Sequence, residues 1–175
     1  MCGIFGIVGK NIDSDTISSN LENLISQISF RGKDGFGHFF DQDKNLFIGH
    51  TRLSILDLSD QGKQPMMSNS GRYFITYNGE IYNHPELRNS LTKEHSRHWK
   101  SSSDTETLLA IIDEYGLDRS LEIIDGMFAF ALYDRFEKTL TIVRDRFGEK
   151  PLYWSIINNN GKSGFVFSSD LNGIL

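Results

Sequence analysis

The sequence has almost no cysteine, and Cys2 is its only thiol. A single cysteine cannot form an internal disulfide, so this thiol must have a chemical, metal-binding or packing role. The chain also lacks any cluster of Lys and Arg, and its net charge is −5. Phosphate backbones and anionic membrane surfaces attract basic patches, so we expect no nucleic-acid partner and no membrane partner.

Long apolar runs are missing as well. No stretch is apolar over the length that a bilayer-spanning helix needs, and Met1-Cys2-Gly3 is not followed by the basic region of a secretory signal. We therefore expect a cytoplasmic protein. Its 175 residues suit a single compact domain, with boundaries 1–175, that buries a sizeable core.

The pattern of apolar residues and turn residues predicts both strands and helices. Helices are expected over 13–28, from about Asn83, and over 103–115, the last with a capping box at Ser103 and Glu106 and a stop at Gly116. Strands are expected over 4–8, 36–40, 46–50, 72–77, 127–133, 140–143 and 165–167. Asn78-Gly79 is typical of a turn and is expected to end the fourth of these strands.

The run 127–132 does not alternate between apolar and polar residues, so both faces of that strand should be buried. A sheet with two buried faces must be covered twice. The economical arrangement is an α+β fold in which two mainly antiparallel sheets stack face to face, with helices 14–28 and 103–115 outside.

Cys2 is a candidate nucleophile because removal of Met1 would give it a free α-amine. That amine has a pKa of ~7.7 to 8.0 and a thiol one of ~8.5, so base and nucleophile would share one residue near neutral pH. The alternative is that Cys2 is a small buried hydrophobe at the start of a strand. Position alone leaves both interpretations open.

Attack by a thiol on a carboxamide produces an oxyanion, which needs hydrogen-bond donors. The side-chain amide of Asn78 and the backbone N–H of Gly79 are adjacent candidates, although an ordinary turn is the better explanation of Asn-Gly taken alone. A free amino-acid substrate also needs partners for its two charges. Arg52 offers the fork that a carboxylate prefers, and Glu80 and Asp104 are candidate acceptors for an ammonium group. Asp104 has an alternative role at a helix N-terminus, and Glu80 as a solvated turn residue.

Eight motifs occur in a characteristic order along the whole chain. They are Met1-Cys2-Gly3-Ile4-Phe5-Gly6, Arg31-Gly32-Lys33-Asp34, Arg52-Leu53-Ser54-Ile55, Gln64-Pro65, Asn78-Gly79-Glu80-Ile81-Tyr82-Asn83, Ser103-Asp104-Thr105-Glu106, Asp125-Gly126-Met127-Phe128-Ala129-Phe130 and residues 144–153. With them the sequence resembles the N-terminal glutaminase domain of glutamine-dependent asparagine synthetases, which are class II amidotransferases.

The resemblance implies a four-layer α/β/β/α sandwich of the N-terminal nucleophile hydrolase type. It also implies hydrolysis of L-glutamine to L-glutamate and ammonia through a γ-glutamyl thioester. The implied roles are Cys2 as nucleophile, Asn78 and Gly79 as the oxyanion hole, Arg52 as partner of the glutamine carboxylate, and Glu80 and Asp104 as partners of its amino group. Backbone groups of Ile55 and Leu56 are implied to line the pocket.

The chain departs from the family pattern in two ways. Phe30 and Lys33 stand where the family usually has His and Pro, while Arg31 remains and is expected to steady the thiolate beside the substrate. Family members also continue into an ATP-using synthetase domain, whereas this sequence ends at Leu175. A helix is expected to begin shortly before that end, at Asp170. The expected partners are therefore L-glutamine and a C-terminal synthetase domain or separate subunit, with a homodimer allowed for the full-length protein.

No cofactor or metal is expected in this domain, since ATP and magnesium belong to the synthetase part. His95 and His98 have no matching ligands, and the spacing of Gly3, Gly6 and Gly9 is not a dinucleotide fingerprint but indicates tight packing. Two other functions stay open: a domain that binds or senses glutamine without turnover, and a hydrolase of another amide. The acceptor of the ammonia also stays open, whether aspartate, a sugar or a peptide.

Overall fold

The structure, a computed structural model, describes residues 1–10, 14–54, 59–95, 97–159 and 162–174. Its strands are β1 (Gly3–Lys10), β2 (Gly35–Asp41), β3 (Leu46–Arg52), β4 (Met66–Met67), β5 (Tyr73–Ile81), β6 (Gly126–Asp134), β7 (Thr139–Arg144), β8 (Tyr153–Asn159) and β9 (Lys162–Ser168). Its α-helices are α1 (Ser14–Ile28), α2 (His84–His95) and α3 (Asp104–Ile123).

The strands form two antiparallel sheets. One has the order β2-β3-β1-β9-β8 and the other β4-β5-β6-β7. Between the sheets lies an apolar layer, made by Ile4, Leu46, Ile48, Ala129, Ala131, Tyr133 and Phe167. These residues alternate along their strands with residues that face the helices, as the two-residue period of a strand requires.

The helices cover the outer faces of the two sheets. Ile17 and Ile28 of α1 pack against Phe5 and Phe47 of the first sheet. The apolar side of α3 packs against the second sheet, in a cluster that includes Leu108, Ile111, Ile75, Phe128 and Phe130. The predicted four-layer sandwich of two antiparallel sheets with flanking helices is confirmed, and residues 128–134 are buried throughout, as the non-alternating run predicted.

The predicted turn at Asn78-Gly79 is wrong. Strand β5 continues through both residues to Ile81, and they pair with Ala129 and Phe128 of β6. The local preference of Asn-Gly for a turn is outweighed by this long-range pairing, which a sequence pattern does not reveal. A Cβ at position 79 would lie within 2.5 Å of the Met127 carbonyl oxygen, so the glycine allows the two strands to approach.

Other boundaries differ less. Helix α3 is interrupted at Gly116, whose φ of 77° is not helical, and a second helical segment runs on to Ile123. The helix expected at Asp170 is a short 3-10 turn, Leu171–Gly173, with Asp170 as its cap. The strands expected from the sequence did not include β4 or β8. Among the described helices, none is both long and apolar enough to cross a membrane.

Candidate active site

Alternation along the strands directs the candidate residues into the space between the sheets. Cys2 precedes Ile4 on the inner face, and Arg52 follows Ile48 on the inner face of β3, because residues two apart in a strand share a face. Asn78 is paired with Ala129, which also faces inward. The charged and polar residues therefore gather at one end of the inter-sheet layer.

A cavity of about 150 Å³ opens at this end of the sandwich. Apart from Arg31, every predicted site residue that the structure describes lines the cavity, namely Cys2, Arg52, Asn78, Gly79, Glu80 and Asp104. Ile55 and Leu56 lie outside the described residues. Residues as far apart in the sequence as Cys2 and Asp104 are thus brought to one site by the two sheets and the start of α3.

Cys2 is partly buried and held by one backbone segment. The N–H of Leu53 donates to Sγ at 3.4 Å, and Sγ lies 3.6 Å from the Leu53 carbonyl oxygen. Burial raises the pKa of the Cys2 thiol, while the Leu53 N–H, the amino terminus and Arg52 oppose that rise. The resting sulfur is therefore mainly a neutral thiol, which needs a base when it attacks.

The edge of β5 that faces away from β6 carries backbone donors toward the cavity. The Tyr77 N–H donates to Oε1 of Gln64 at 2.6 Å, and the Ile81 N–H donates to Oδ2 of Asp104 at 3.0 Å. In a strand, N–H groups two residues apart point the same way. The Gly79 N–H therefore points to the same edge, between these two filled positions.

The partner strand agrees with this orientation of Gly79. Phe128 lies opposite Gly79, but its N–H donates to Oδ2 of Asp145 at 3.2 Å and its carbonyl accepts from the Asp145 N–H at 2.8 Å. The backbone groups of Phe128 thus face away from β5. Gly79 and Phe128 form a pair without mutual hydrogen bonds, which leaves the Gly79 N–H for the cavity.

Asn78 supplies a second donor beside Gly79. Its side chain is buried, with 2% of the residue exposed, and Nδ2 has no hydrogen-bond partner within the described part of the chain. A buried donor without a partner costs about 1 to 3 kcal/mol, so such groups are found where a ligand supplies the acceptor. Asn78 and Gly79 together present two adjacent donors in the cavity that contains Cys2.

Asp104 is a buried carboxylate at the first turn of α3. Its Oδ2 accepts from the Tyr77 hydroxyl at 2.7 Å as well as from the Ile81 N–H, and the helix N-terminus favours its negative charge. Burial and the neighbouring Asp104 raise the pKa of Tyr77 well above its usual value, so Tyr77 remains a donor. Both described bonds end on Oδ2, which leaves Oδ1 to accept from a ligand in the cavity.

Arg31 lies behind Cys2 and not on the cavity wall. Its Nε donates to the Cys2 carbonyl oxygen at 3.1 Å. Burial lowers the pKa of Arg31, and the charges of Asp170 and Cys2 oppose that change. Arg31 thus holds the backbone of Cys2, and its contact with substrate stays a prediction. Phe30 and Lys33 are both exposed, outside the cavity.

The sequence interpretation assigned no role to several residues that line the cavity. They include His50, Leu53, Gln64, Tyr77 and Lys150. Three of them lay in motifs already recognised, namely Leu53, Gln64 and Lys150, and His50 is two positions before Arg52 on the same strand face. That shared face was the signal that would have placed His50 in the site.

Comparisons with known proteins agree with this geometry. Residues 1–175 match the family described as the glutamine amidotransferase domain. The chain is 36% identical, over its full length, to a protein named putative asparagine synthetase [glutamine-hydrolyzing] 2 of Methanocaldococcus jannaschii, and spans 35% of that protein. It is 37% identical, over 91% of its length, to asparagine synthetase [glutamine-hydrolyzing] 1 of Bacillus subtilis, of which it spans 25%.

The fold also has a counterpart among solved structures. Glutamine phosphoribosylpyrophosphate amidotransferase from B. subtilis superposes with a TM-score of 0.76 at 21% identity, over 99% of this chain and 43% of that chain. This likeness concerns the fold alone. No group of three or more His, Cys, Asp or Glu side chains suited to a metal ion occurs in the portion of the chain that the structure describes.

Proposed function

Because this chain belongs to the glutamine amidotransferase domain family, as its motifs predict, we propose that it hydrolyses L-glutamine to L-glutamate and ammonia with Cys2 as nucleophile. The observation that carries the proposal is the single cavity in which Cys2 lies with the Asn78 and Gly79 donors and the charged groups of Arg52, Glu80 and Asp104. A thiol, two oxyanion donors and partners for both charges of an amino acid are the parts that this reaction needs.

In the first step, Sγ of Cys2 forms a bond to the side-chain carbonyl carbon of glutamine, and the carbonyl oxygen becomes an oxyanion. Nδ2 of Asn78 and the N–H of Gly79 donate to that oxygen. The thiol proton passes to the α-amine of Cys2 and then to the leaving nitrogen as the C–N bond breaks, which releases ammonia and leaves a γ-glutamyl thioester.

In the second step, water adds to the thioester carbon and loses its proton to the same α-amine. The C–S bond then breaks, the thiol recovers its proton and glutamate is released. The same two donors serve both tetrahedral intermediates, since each carries its negative charge on the same oxygen.

The charged residues hold the other end of the substrate. Arg52 binds the α-carboxylate, and Oδ1 of Asp104 with Glu80 binds the α-ammonium group. The buried Asp104 contributes more than the exposed Glu80, because a charged hydrogen bond is stronger away from water.

The general base depends on removal of Met1. While Met1 is attached, the nitrogen of Cys2 belongs to a peptide bond and cannot accept a proton. The thiol, with its pKa raised by burial, then attacks slowly at neutral pH. We expect protein that retains Met1 to bind glutamine but to release little ammonia.

Covalent labelling tests the proposal. Protein with Met1 removed is incubated with 6-diazo-5-oxo-L-norleucine, an electrophilic glutamine analogue, and peptide mass spectrometry locates the adduct. The expected result is an adduct on Cys2, with ammonia release from glutamine that disappears in Cys2→Ala. A folded wild-type protein that binds glutamine but is neither labelled nor active would favour a sensing domain instead.

We further propose that the ammonia serves an ATP-dependent amidation of the asparagine-synthetase type, carried out by a C-terminal domain or a partner subunit. The supporting observation is that the chain spans about a quarter to a third of the length of the curated relatives described above. ATP and magnesium would act in that part, and the glutaminase step itself uses only this chain's donors. A cytoplasmic location and a homodimer of the full-length protein remain predictions.

A further inference from the structure

The edge of β5 next to the oxyanion donors is covered by side chains where a neighbouring strand would otherwise lie. Strand β4 is only two residues long and pairs with Phe74 and Ile75. The next backbone groups that point to that edge belong to Tyr77. Its N–H is bound by Oε1 of Gln64 at 2.6 Å, and its carbonyl oxygen lies 3.2 Å from Nε2 of His50.

We infer that Gln64 and His50 are positioning residues that fix the Tyr77 peptide groups and thereby aim the Asn78 and Gly79 donors at the oxyanion. The inference rests on the proposed glutaminase function and names the groups that hold its transition-state donors in place. A paired strand at this edge would consume the Gly79 N–H, whereas an uncovered edge would leave the strand loosely held. The side chains of Gln64 and His50 bind the Tyr77 peptide groups and not the Gly79 N–H. They therefore hold the strand edge and still leave the Gly79 donor available.

Gln64 connects the two halves of the site. Its Nε2 donates to Oγ1 of Thr105 at 3.3 Å, while its Oε1 accepts from Tyr77. Thr105 is buried in the first turn of α3, next to Asp104. One amide therefore ties the strand that carries the oxyanion donors to the helix end that carries the carboxylate for the substrate's ammonium group.

His50 acts from the opposite sheet, on β3. It is buried, with 1% of the residue exposed, and it lines the cavity. Burial and the nearby Arg52 keep the imidazole neutral, with a pKa lowered to about 3. Since the Tyr77 carbonyl can only accept, the ring proton must be on Nε2.

That tautomer leaves Nδ1 of His50 as a bare acceptor. Nδ1 is buried and has no partner in the described ranges of the chain. An isolated structural histidine in a core would be expected to satisfy both nitrogens. A histidine that gives its only proton to the strand of the oxyanion donors, beside a ligand cavity, is explained by the need to hold that strand.

The variants His50→Leu and His50→Gln separate positioning from packing. Glutamine keeps an N–H donor near the place of Nε2, whereas leucine keeps the bulk without the donor. We expect His50→Leu to lower kcat for glutamine hydrolysis roughly 10-fold to 100-fold with little change in KM, because small displacements of catalytic groups have effects of this size. His50→Gln should recover most of the lost kcat. His38→Leu, a histidine exposed on β2, is the matched control and should not change kcat.

The variants Gln64→Met and Thr105→Val test the connection through Gln64. Gln64→Met removes both bonds, so kcat should fall and KM should rise. Thr105→Val removes only the bond toward α3, so we expect KM to rise by more than kcat falls. A change of KM and kcat in equal proportion in all variants would indicate a general loss of structure and would contradict the inference.

Two measurements keep the outcomes distinct. Nitrogen-15 NMR of the wild-type protein reports the histidine tautomer directly, and a His50 ring with its proton on Nδ1 overturns the inference even if the variants fail to fold. Among folded variants, wild-type kcat in His50→Leu also overturns it, as does a His50→Gln no more active than His50→Leu. Failure of the wild-type protein to label with 6-diazo-5-oxo-L-norleucine would instead count against the proposed function.

Discussion

Strand β5 has two halves that differ in how their outward edge is covered. In the first half, Phe74 and Ile75 pair with β4. In the second half no described strand pairs with this edge, which is met by the side chains of Gln64 at Tyr77 and Asp104 at Ile81. The N–H of Gly79, between them, faces the cavity.

The difference shows how a structural strand becomes a binding element. A covered edge satisfies every backbone group and contributes stability, whereas an edge covered by individual side chains keeps one donor available at a fixed position. The side chains that cover it also bring a charge, that of Asp104, which a strand backbone could not supply. Mutations in the two halves should therefore separate activity from stability.

The largest effect is expected at Asn78, in the second half. Asn78→Ala should lower kcat roughly 10²-fold to 10³-fold, the usual loss on removal of one oxyanion donor. Stability should change little, because Nδ2 has no partner to lose among the residues that the structure describes. Ammonia release and thermal unfolding measure the two quantities. Strong destabilisation with nearly normal kcat would show that Asn78 contributes to stability and not to activity, as expected of residues in the first half of β5.

Asp104, the helix residue that binds the far end of the same half, should affect substrate binding. Asp104→Asn keeps an oxygen for the Tyr77 hydroxyl and the Ile81 N–H but removes the charge, so KM for glutamine should rise roughly 10-fold to 100-fold. Steady-state kinetics at several glutamine concentrations checks this.

The matched control for Asp104 is Glu106→Gln, in the first turn of the same helix. The Glu106 carboxylate accepts from the N–H groups of Lys100 and Ser101 at 2.9 and 2.8 Å and does not line the cavity. The substitution Glu106→Gln should lower the unfolding temperature and leave KM for glutamine unchanged. Equal KM effects in both variants would mean that the helix end, and not the Asp104 charge, determines binding.

The sequence predicts the first half of strand β5 but not its continuation through Asn78 and Gly79. Composition and turn residues located the strand and both candidate donors, yet they predicted a turn at Asn78-Gly79, since nothing local reports the pairing with β6. The capping role of Ser103 was confirmed, because its Oγ accepts from the Glu106 N–H as the local pattern requires.

Side-chain contacts between distant segments were not predictable in the same way. Gln64 and Tyr77 are joined by a side-chain bond to a strand edge, and the existence of that edge depends on where β4 ends. His50 reaches Tyr77 from the opposite sheet, a relation set by sheet stacking. The candidate site residues were predicted from the sequence by their chemical type, whereas the contacts of Gln64 and His50 with Tyr77 became visible only in the structure.

A third prediction concerns pH and the strand's contact with His50. The pKa of His50 in the folded protein, about 3, lies below the usual 6.5. Between these pH values the unfolded chain binds a proton on this histidine and the folded protein does not. Stability from this group is therefore complete above about pH 6.5 and is lost as pH falls toward 3. Between pH 7 and pH 5 the loss should be about 2 kcal/mol.

Urea unfolding of wild type and His50→Gln at both pH values checks this prediction. The variant has no imidazole at this position, so its stability should fall less between pH 7 and pH 5. His38→Gln serves as control and should retain the wild-type dependence. Identical pH dependence in wild type and His50→Gln would mean that His50 takes up a proton in the folded state.

The smallest effect is expected at Thr76, on the boundary between the halves. Its hydroxyl is buried and donates to the Gly49 carbonyl oxygen of the opposite sheet at 3.0 Å, two residues before Asn78 on the same face. Thr76→Val should lower the free energy of unfolding by about 1 kcal/mol, the usual contribution of one such bond. We expect kcat to stay near the wild-type value, and Thr76→Ser to restore most of the stability. A large loss of kcat in a stable Thr76→Val variant would show that the second half of β5 begins before Tyr77. The bond from Thr76 to β3 would then also help to position the Asn78 and Gly79 donors.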